Sequence, residues 1–109
     1  MERFKKFMER ELNLEKIKDT GRLAVSGIEC TYLSEPLEDF DEVEFRTGFG
    51  GDIIVITVAV ELGKVKRIMI SVADEKNPDV VRSLTGSQLE GFLAEKGETL
   101  AGFFEYVTG

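Results

Sequence analysis

The sequence predicts an α+β fold, an antiparallel meander of three to four strands covered by an N-terminal helix and by C-terminal helices. Three observations predict it. Apolar residues recur at three- and four-residue spacing near the start of the chain, alternate with polar ones through residues 42–73, and return to helical spacing beyond Asn77. A chain of 109 residues, 42% hydrophobic and 32% charged, has a globular composition and the length of a single domain, residues 1–109.

Phe4, Phe7, Met8 and Leu12 lie on one stripe among Glu, Lys and Arg, which predicts an amphipathic helix over residues 2–13, its apolar side facing the core. The pattern ends near Asp19, Thr20 and Gly21. From Arg22 to Leu33 the β-branched residues and Gly27 favour a short, irregular strand. Pro36 and the like charges of Glu35, Glu38, Asp39 and Asp41 then make a loop of residues 34–40.

Strict alternation follows. Val43, Phe45, Thr47 and Phe49 point one way, and Glu42, Glu44 and Arg46 the other, as in a strand with one wet face. Gly48, Gly50 and Gly51 interrupt it. Residues 52–62 are apolar on both faces, which predicts a central strand. A tight turn at Glu61–Lys64 leads back through residues 65–73, with Ile68, Ile70 and Val72 opposite Val65, Arg67 and Met69. Asn77 before Pro78 reads as a helix start running through Val80, Val81 and Leu84. After Gly86, Ser87 and Glu90 stand at the spacing of a capping box for a second helix with Leu89, Phe92 and Leu93 on one side. Gly97 ends that helix, and Leu100, Phe103, Phe104 and Val107 carry a third.

Composition excludes several kinds of chemistry. The chain has no histidine, which removes Ser-His-Asp and Cys-His nucleophiles and His-ligated metals, and its one cysteine, Cys30, can neither close an intramolecular disulfide nor build a thiolate cluster. With no base beside it, Cys30 reads as a small buried apolar residue. The net charge is −7 and is concentrated in the middle: residues 23–62 hold nine acidic groups and one basic group. That sign opposes the phosphate backbone and anionic lipid, so neither nucleic acid nor membrane is an expected partner. No apolar run reaches the length of a signal peptide or a membrane span, and a cytoplasmic location is expected.

Four features are candidate sites. Gly50 and Gly51 could bring backbone amides close to an anion, but they open a strand rather than a helix and match neither phosphate-loop pattern, so a hairpin or bulge role is expected. Glu35, Glu38, Asp39, Asp41, Glu42 and Glu44 could offer oxygen ligands to a hard cation, without the spacing of an EF-hand; a solvated face explains them equally well. Asp52 follows the glycines and Asp74 follows the last strand, which reads as opposite ends of the meander, each placed to cap a turn. Phe92, Phe103, Phe104 and Tyr106 are more aromatics than one small sheet needs, so Phe103 and Phe104 are candidates for a dimer or partner interface.

The stretch from Gly50 to Glu90 carries Gly50-Gly51 before an apolar strand, Gly63-Lys64-Val65 at the hairpin, then Asp74, Pro78-Asp79-Val80-Val81 and Leu84-Thr85-Gly86. This series resembles the C-terminal or accessory domain of lipoate–protein ligases. Its outline is also similar to the iron-sulfur cluster assembly scaffolds, which share the sheet-and-helix plan. The scaffolds hold their cluster on cysteines, whereas this chain has Gly50-Gly51-Asp52 and Val72-Ala73-Asp74 at those places, which excludes that chemistry. Against the ligase domain, Glu75 stands where an aromatic is expected.

The expected function is therefore that of a small, non-catalytic accessory or interaction protein without a cofactor, working through a protein partner or self-association; the resemblance implies a lipoate ligase as that partner. The alternatives are a carboxylate-based small-molecule or cation-binding protein using Asp52 and Asp74, and a structural homo-oligomer. Gly50, Gly51, Asp52, Asp74, Phe103 and Phe104 are the residues expected to carry binding.

Overall fold

The computed structural model describes residues 2–19, 27–33, 40–77 and 80–109. Among them, five strands form one antiparallel sheet in the order of the sequence: β1 (Glu29–Leu33), β2 (Phe40–Phe49), β3 (Asp52–Glu61), β4 (Lys64–Ala73) and β5 (Val81–Ser83). A 3-10 segment (Glu2–Phe7) and a short helix α1 (Leu14–Lys18) precede the sheet, and one long helix α2 (Gly86–Val107) follows it. The α+β class and the β2–β3–β4 meander are as the alternation predicts, but the sheet has five strands rather than three to four, because β5 joins it beside β4. The short, irregular strand expected within residues 22–33 is β1, whose pairing with β2 shifts register between Cys30 and Tyr32; residues 20–26 and 34–39 lie outside the described residues.

Both long hairpins close through two-residue turns. Gly50 and Gly51 have φ of 57° and 85°, between the paired residues Phe49 and Asp52. Leu62 and Gly63 have φ of 53° and 79°, between Glu61 and Lys64. Positive φ at both positions defines the type I′ turn, whose twist matches that of the flanking strands. Glycine accepts this freely, but Leu62 holds a left-handed backbone against the clash of its own Cβ.

Along β4 the register shifts where Val60 faces Val65 and Ala59 faces Arg67, leaving Lys66 as the extra residue of a bulge. This corrects the simple alternation. The bulge reverses the phase, so that Val65 is buried on the same face as Ile68, Ile70 and Val72 rather than opposite them. Lys66, turned outward, forms an ion pair with Glu9 at 2.8 Å.

The N-terminal helix expected over residues 2–13 is also corrected. The 3-10 segment brings Phe4 and Phe7, three residues apart, onto one side, where both are fully buried. Glu9 then adopts a φ of 68° and the chain runs along the edge of β4. The Glu9 N–H donates to the Val65 carbonyl, the Val65 N–H to that of Arg10, and the Leu12 N–H to that of Gly63, all within 2.9 Å. Edge pairing thus satisfies backbone groups that a continuing helix would have bonded internally. Asn13 caps α1 by accepting from the Lys16 N–H, and Ile17 returns to the core.

The helix expected from Asn77 through Leu84 is a turn and an edge strand instead, in which Ser83, Arg82 and Val81 pair with Ser71, Val72 and Ala73. β-branched Val80 and Val81 suit the strand, and β4 offers an open edge there. Pro78 and Asp79 lie outside the described residues.

The two further helices expected to break at Gly97 are one helix of 22 residues. Its start is Gly86, with Thr85 rather than Ser87 at the N-cap and no side-chain cap bond. Interior glycines at 91, 97 and 102 cost about 1 kcal/mol each relative to alanine. Against this, Phe92, Leu100, Phe103 and Phe104 are each no more than 2% exposed, and complete burial of such side chains contributes about 1.5–3 kcal/mol apiece. Packing outweighs propensity. The stripe meets Val43, Phe45, Ile54, Ile56, Val58 and Ile70 across the sheet in one core.

Leu62→Asn should raise stability by about 1 kcal/mol, because asparagine visits the left-handed region readily and Leu62 is exposed. Urea denaturation of the two proteins checks this; an equal or lower midpoint would show that the leucine carries no strain there.

Candidate functional site

The sequence-nominated residues separate into two groups in space. Phe103 and Phe104 lie in the core. Phe103 meets Phe45 edge-on at a centroid distance of 4.8 Å, and Phe104 sits 5.7 Å from Phe4 and 5.5 Å from Phe7. Phe92 stacks edge-on against Phe49 at 5.3 Å, and the half-buried Tyr106 ring carries the Lys16 ammonium at 5.0 Å. The idea that aromatics exceed the demand of the sheet is therefore corrected, because the 3-10 segment supplies a second wall for them. In this chain Phe103 and Phe104 have no surface to offer a partner.

Gly50, Gly51, Asp52 and Asp74 are brought together instead. The pairing of Ile54 with Val72 carries the end of β3 past the end of β4, so Asp52 and Asp74 share one rim of the sheet rather than its opposite ends. Gly51, Asp52, Ile53, Ala73, Asp74 and Glu75 line a shallow hollow of about 230 Å³ there. Sequence order alone concealed this, since it depends on the register of the second hairpin.

The two aspartates have different local roles. Asp74 Oδ1 accepts from the backbone N–H groups of Lys76 (2.7 Å) and Asn77 (3.2 Å), an Asx turn that redirects the chain into β5. Its own N–H donates to the Val80 carbonyl at 2.8 Å. Asp52 closes the glycine turn opposite Phe49 and is exposed. Among the described residues no group of three Asp, Glu or Cys side chains is placed to hold a metal ion. Of the acidic set, Glu35, Glu38 and Asp39 lie outside the described residues, and Glu44 accepts from the Arg46 guanidinium at 2.9 Å. Cys30 is half-buried and packs against the core.

The other charged pairs fasten elements together. Lys6 and Arg10 reach Glu105 of α2 at 3.1 and 3.0 Å, clamping the N-terminal segment over the Phe7–Phe104 contact. Hydrogen bonds from Lys6, then Arg10, hold the Glu105 carboxyl below its ordinary value, and the bond from Lys66 does the same for Glu9. The Lys66 ammonium is raised correspondingly by Glu9. All of these groups are in contact with water, so salt screens them and they orient the surface more than they stabilise it.

The face of the sheet away from α2 was not singled out in the sequence. Outward-facing rows cross the strands as Ile53, Ala73 and Val81, then Val55, Ser71 and Ser83, then Thr57 and Met69. Val55 and Ala59 are closed to solvent, while Ile53, Met69 and Val81 remain 45%, 38% and 43% exposed, with Val80 beside them at 53%. The signal available was the unbroken apolar run of β3, which leaves side chains on the second face needing cover. Among the described residues no helix is long and apolar enough to cross a membrane. Comparison of the chain with protein-family models, with curated proteins and with solved structures finds no match in any of the three.

Asp74→Ala should cost about 1–2 kcal/mol through loss of the Asx turn. Asp74→Asn, whose amide oxygen can still accept, and Asp52→Asn should both stay within about 0.5 kcal/mol of the parent. Thermal or urea unfolding reads the difference. A gain above about 1 kcal/mol on Asp52→Asn would instead reveal two carboxylates held against their mutual repulsion, as in a ligand site.

Proposed function

We propose that the protein is a non-catalytic interaction module that binds another protein through the outer face of its sheet near β5. The observation that carries this reading is the distribution of exposed apolar side chains. Of the large hydrophobic residues exposed among those described, Ile53 and Val81 flank Ala73 at the rim of the outer face, Val80 immediately precedes β5, Met69 lies farther along β4, and Leu62 stands at a hairpin tip. Exposed apolar side chains at the rim of a sheet mark a contact surface. The lack of histidine in the sequence supports a binding role over catalysis. The likeness of residues 50–90 to a lipoate ligase accessory domain nominates a lipoate ligase as the partner.

Affinity capture of the tagged chain from its host lysate, run beside Ile53→Lys and Met69→Lys, tests the reading. A protein retained by the parent and lost from both variants, with their folded spectra unchanged, is the expected result, and recovery of a ligase would identify the partner. Equal capture by all three would overturn the surface assignment. A parent that is a stable multimer and captures only itself would replace the partner with a second copy.

A further inference from the structure

On the opposite side of the same rim, facing α2, lies a second hollow that the interaction role does not use. It has a volume of about 170 Å³, and its floor is Phe49, Ile54, Val72 and Leu84. Two of these are core residues of the meander, and Phe49 is fixed by its edge-on contact with Phe92. The floor is thus rigid and apolar. At about 30 Å³ per water the hollow has room for about six waters, the size of a small organic molecule rather than a drug-sized one.

Its mouth carries charges of both signs. Arg82 stands on the α2-facing side of β5, because it pairs with Val72, whose side chain is in the core. Its guanidinium donates to Gln88 Oε1 at 3.4 Å, which turns it toward the first turn of α2 and over the hollow. Asp52 lines the same hollow from β3, two strands away, a lateral separation of about 10 Å at normal strand spacing. Among the described residues neither side chain is in a salt bridge. The arrangement offers a cation-binding carboxylate on one lip, an anion-binding guanidinium with a neighbouring carboxamide on the other, and an apolar floor between them.

We infer that this hollow binds a small zwitterion with an apolar body, namely a free aliphatic amino acid. Its carboxylate is received by Arg82 and Gln88, its ammonium by Asp52, and its side chain by Phe49, Ile54, Val72 and Leu84. An anion alone would be repelled by Asp52 and a cation alone by Arg82, so the pair selects for both charges on one molecule. The inference is independent of the partner surface, which lies on the other face of the sheet.

Titration of the isotopically labelled full chain with L-leucine, followed by amide resonances, tests it. The control ligands are 4-methylpentanoate, which keeps the carboxylate and the side chain, and 3-methylbutylamine, which keeps the ammonium and the side chain. The expected result is saturable shifts at Gly50–Asp52 and Arg82–Gln88 below about 10 mM leucine, with each half-molecule binding about tenfold more weakly. Arg82→Gln and Asp52→Asn, both at exposed positions, should each weaken leucine about tenfold while leaving the rest of the spectrum in place. No saturable shift by about 10 mM, or a half-molecule that binds as tightly as leucine, would overturn the assignment. Shifts unaltered in both variants would overturn it as well.

Discussion

The fold depends on one contact, the aromatic stripe of α2 laid across the β2–β3–β4 face and closed from the side by the 3-10 segment. Phe103 meets Phe45 of the sheet, Phe104 meets Phe4 and Phe7 of the segment, and Phe92 meets Phe49 at the end of β2. A long helix with glycine at 91, 97 and 102 is a poor helix on its own terms. It is continuous because breaking it at any of these glycines would uncover part of the stripe. The N-terminal segment depends on the same contact, since Phe4 and Phe7 both pack against Phe104.

The backbone arranges itself around that core. β4 has β3 on one edge, and its other edge is shared: Glu9–Leu12 pair with its beginning, and β5 with its end. Two chain segments distant in sequence therefore complete one strand, and each displaces a helix that local periodicity would favour. The bulge at Lys66 lets Val65 enter the core at the place where the N-terminal segment docks. The Glu9–Lys66 and Glu105–Lys6–Arg10 pairs then lie on the outside of this junction, where water surrounds them. What remains at the other end of the sheet is the rim of Gly50, Gly51, Asp52 and Asp74, with an apolar outer face on one side and an apolar hollow on the other.

Much of this was legible in the sequence. The alternation through Val43, Phe45 and Phe49, and the two-faced apolar run of β3, specify the meander directly, because the period of two has no helical counterpart. The positive-φ glycines announce the turns. Helical spacing at Phe4, Phe7 and Leu12 correctly marked core residues but not their conformation, since a 3-10 turn and an edge pairing bury the same positions as an α-helix. Val80, Val81 and Leu84 fit a helix as well as a strand over so few residues, and only the open edge of β4 decides between them. Of the site residues, the proximity of Asp52 to Asp74 needed the exact strand register, and the burial of Phe103 and Phe104 needed the second wall supplied by residues 2–7. Arg82 carried no signal of its own, because its place above the hollow follows from β5 being a strand.

Replacing Phe104 with alanine tests the central dependence most directly, with unfolding by urea and molar mass by light scattering measured on the same samples. A core aromatic that joins α2 to Phe4 and Phe7 should cost about 3–5 kcal/mol when truncated, with the mass unchanged from the parent. Near-parental stability accompanied by a fall in mass would contradict this account and place Phe104 in an interface between copies.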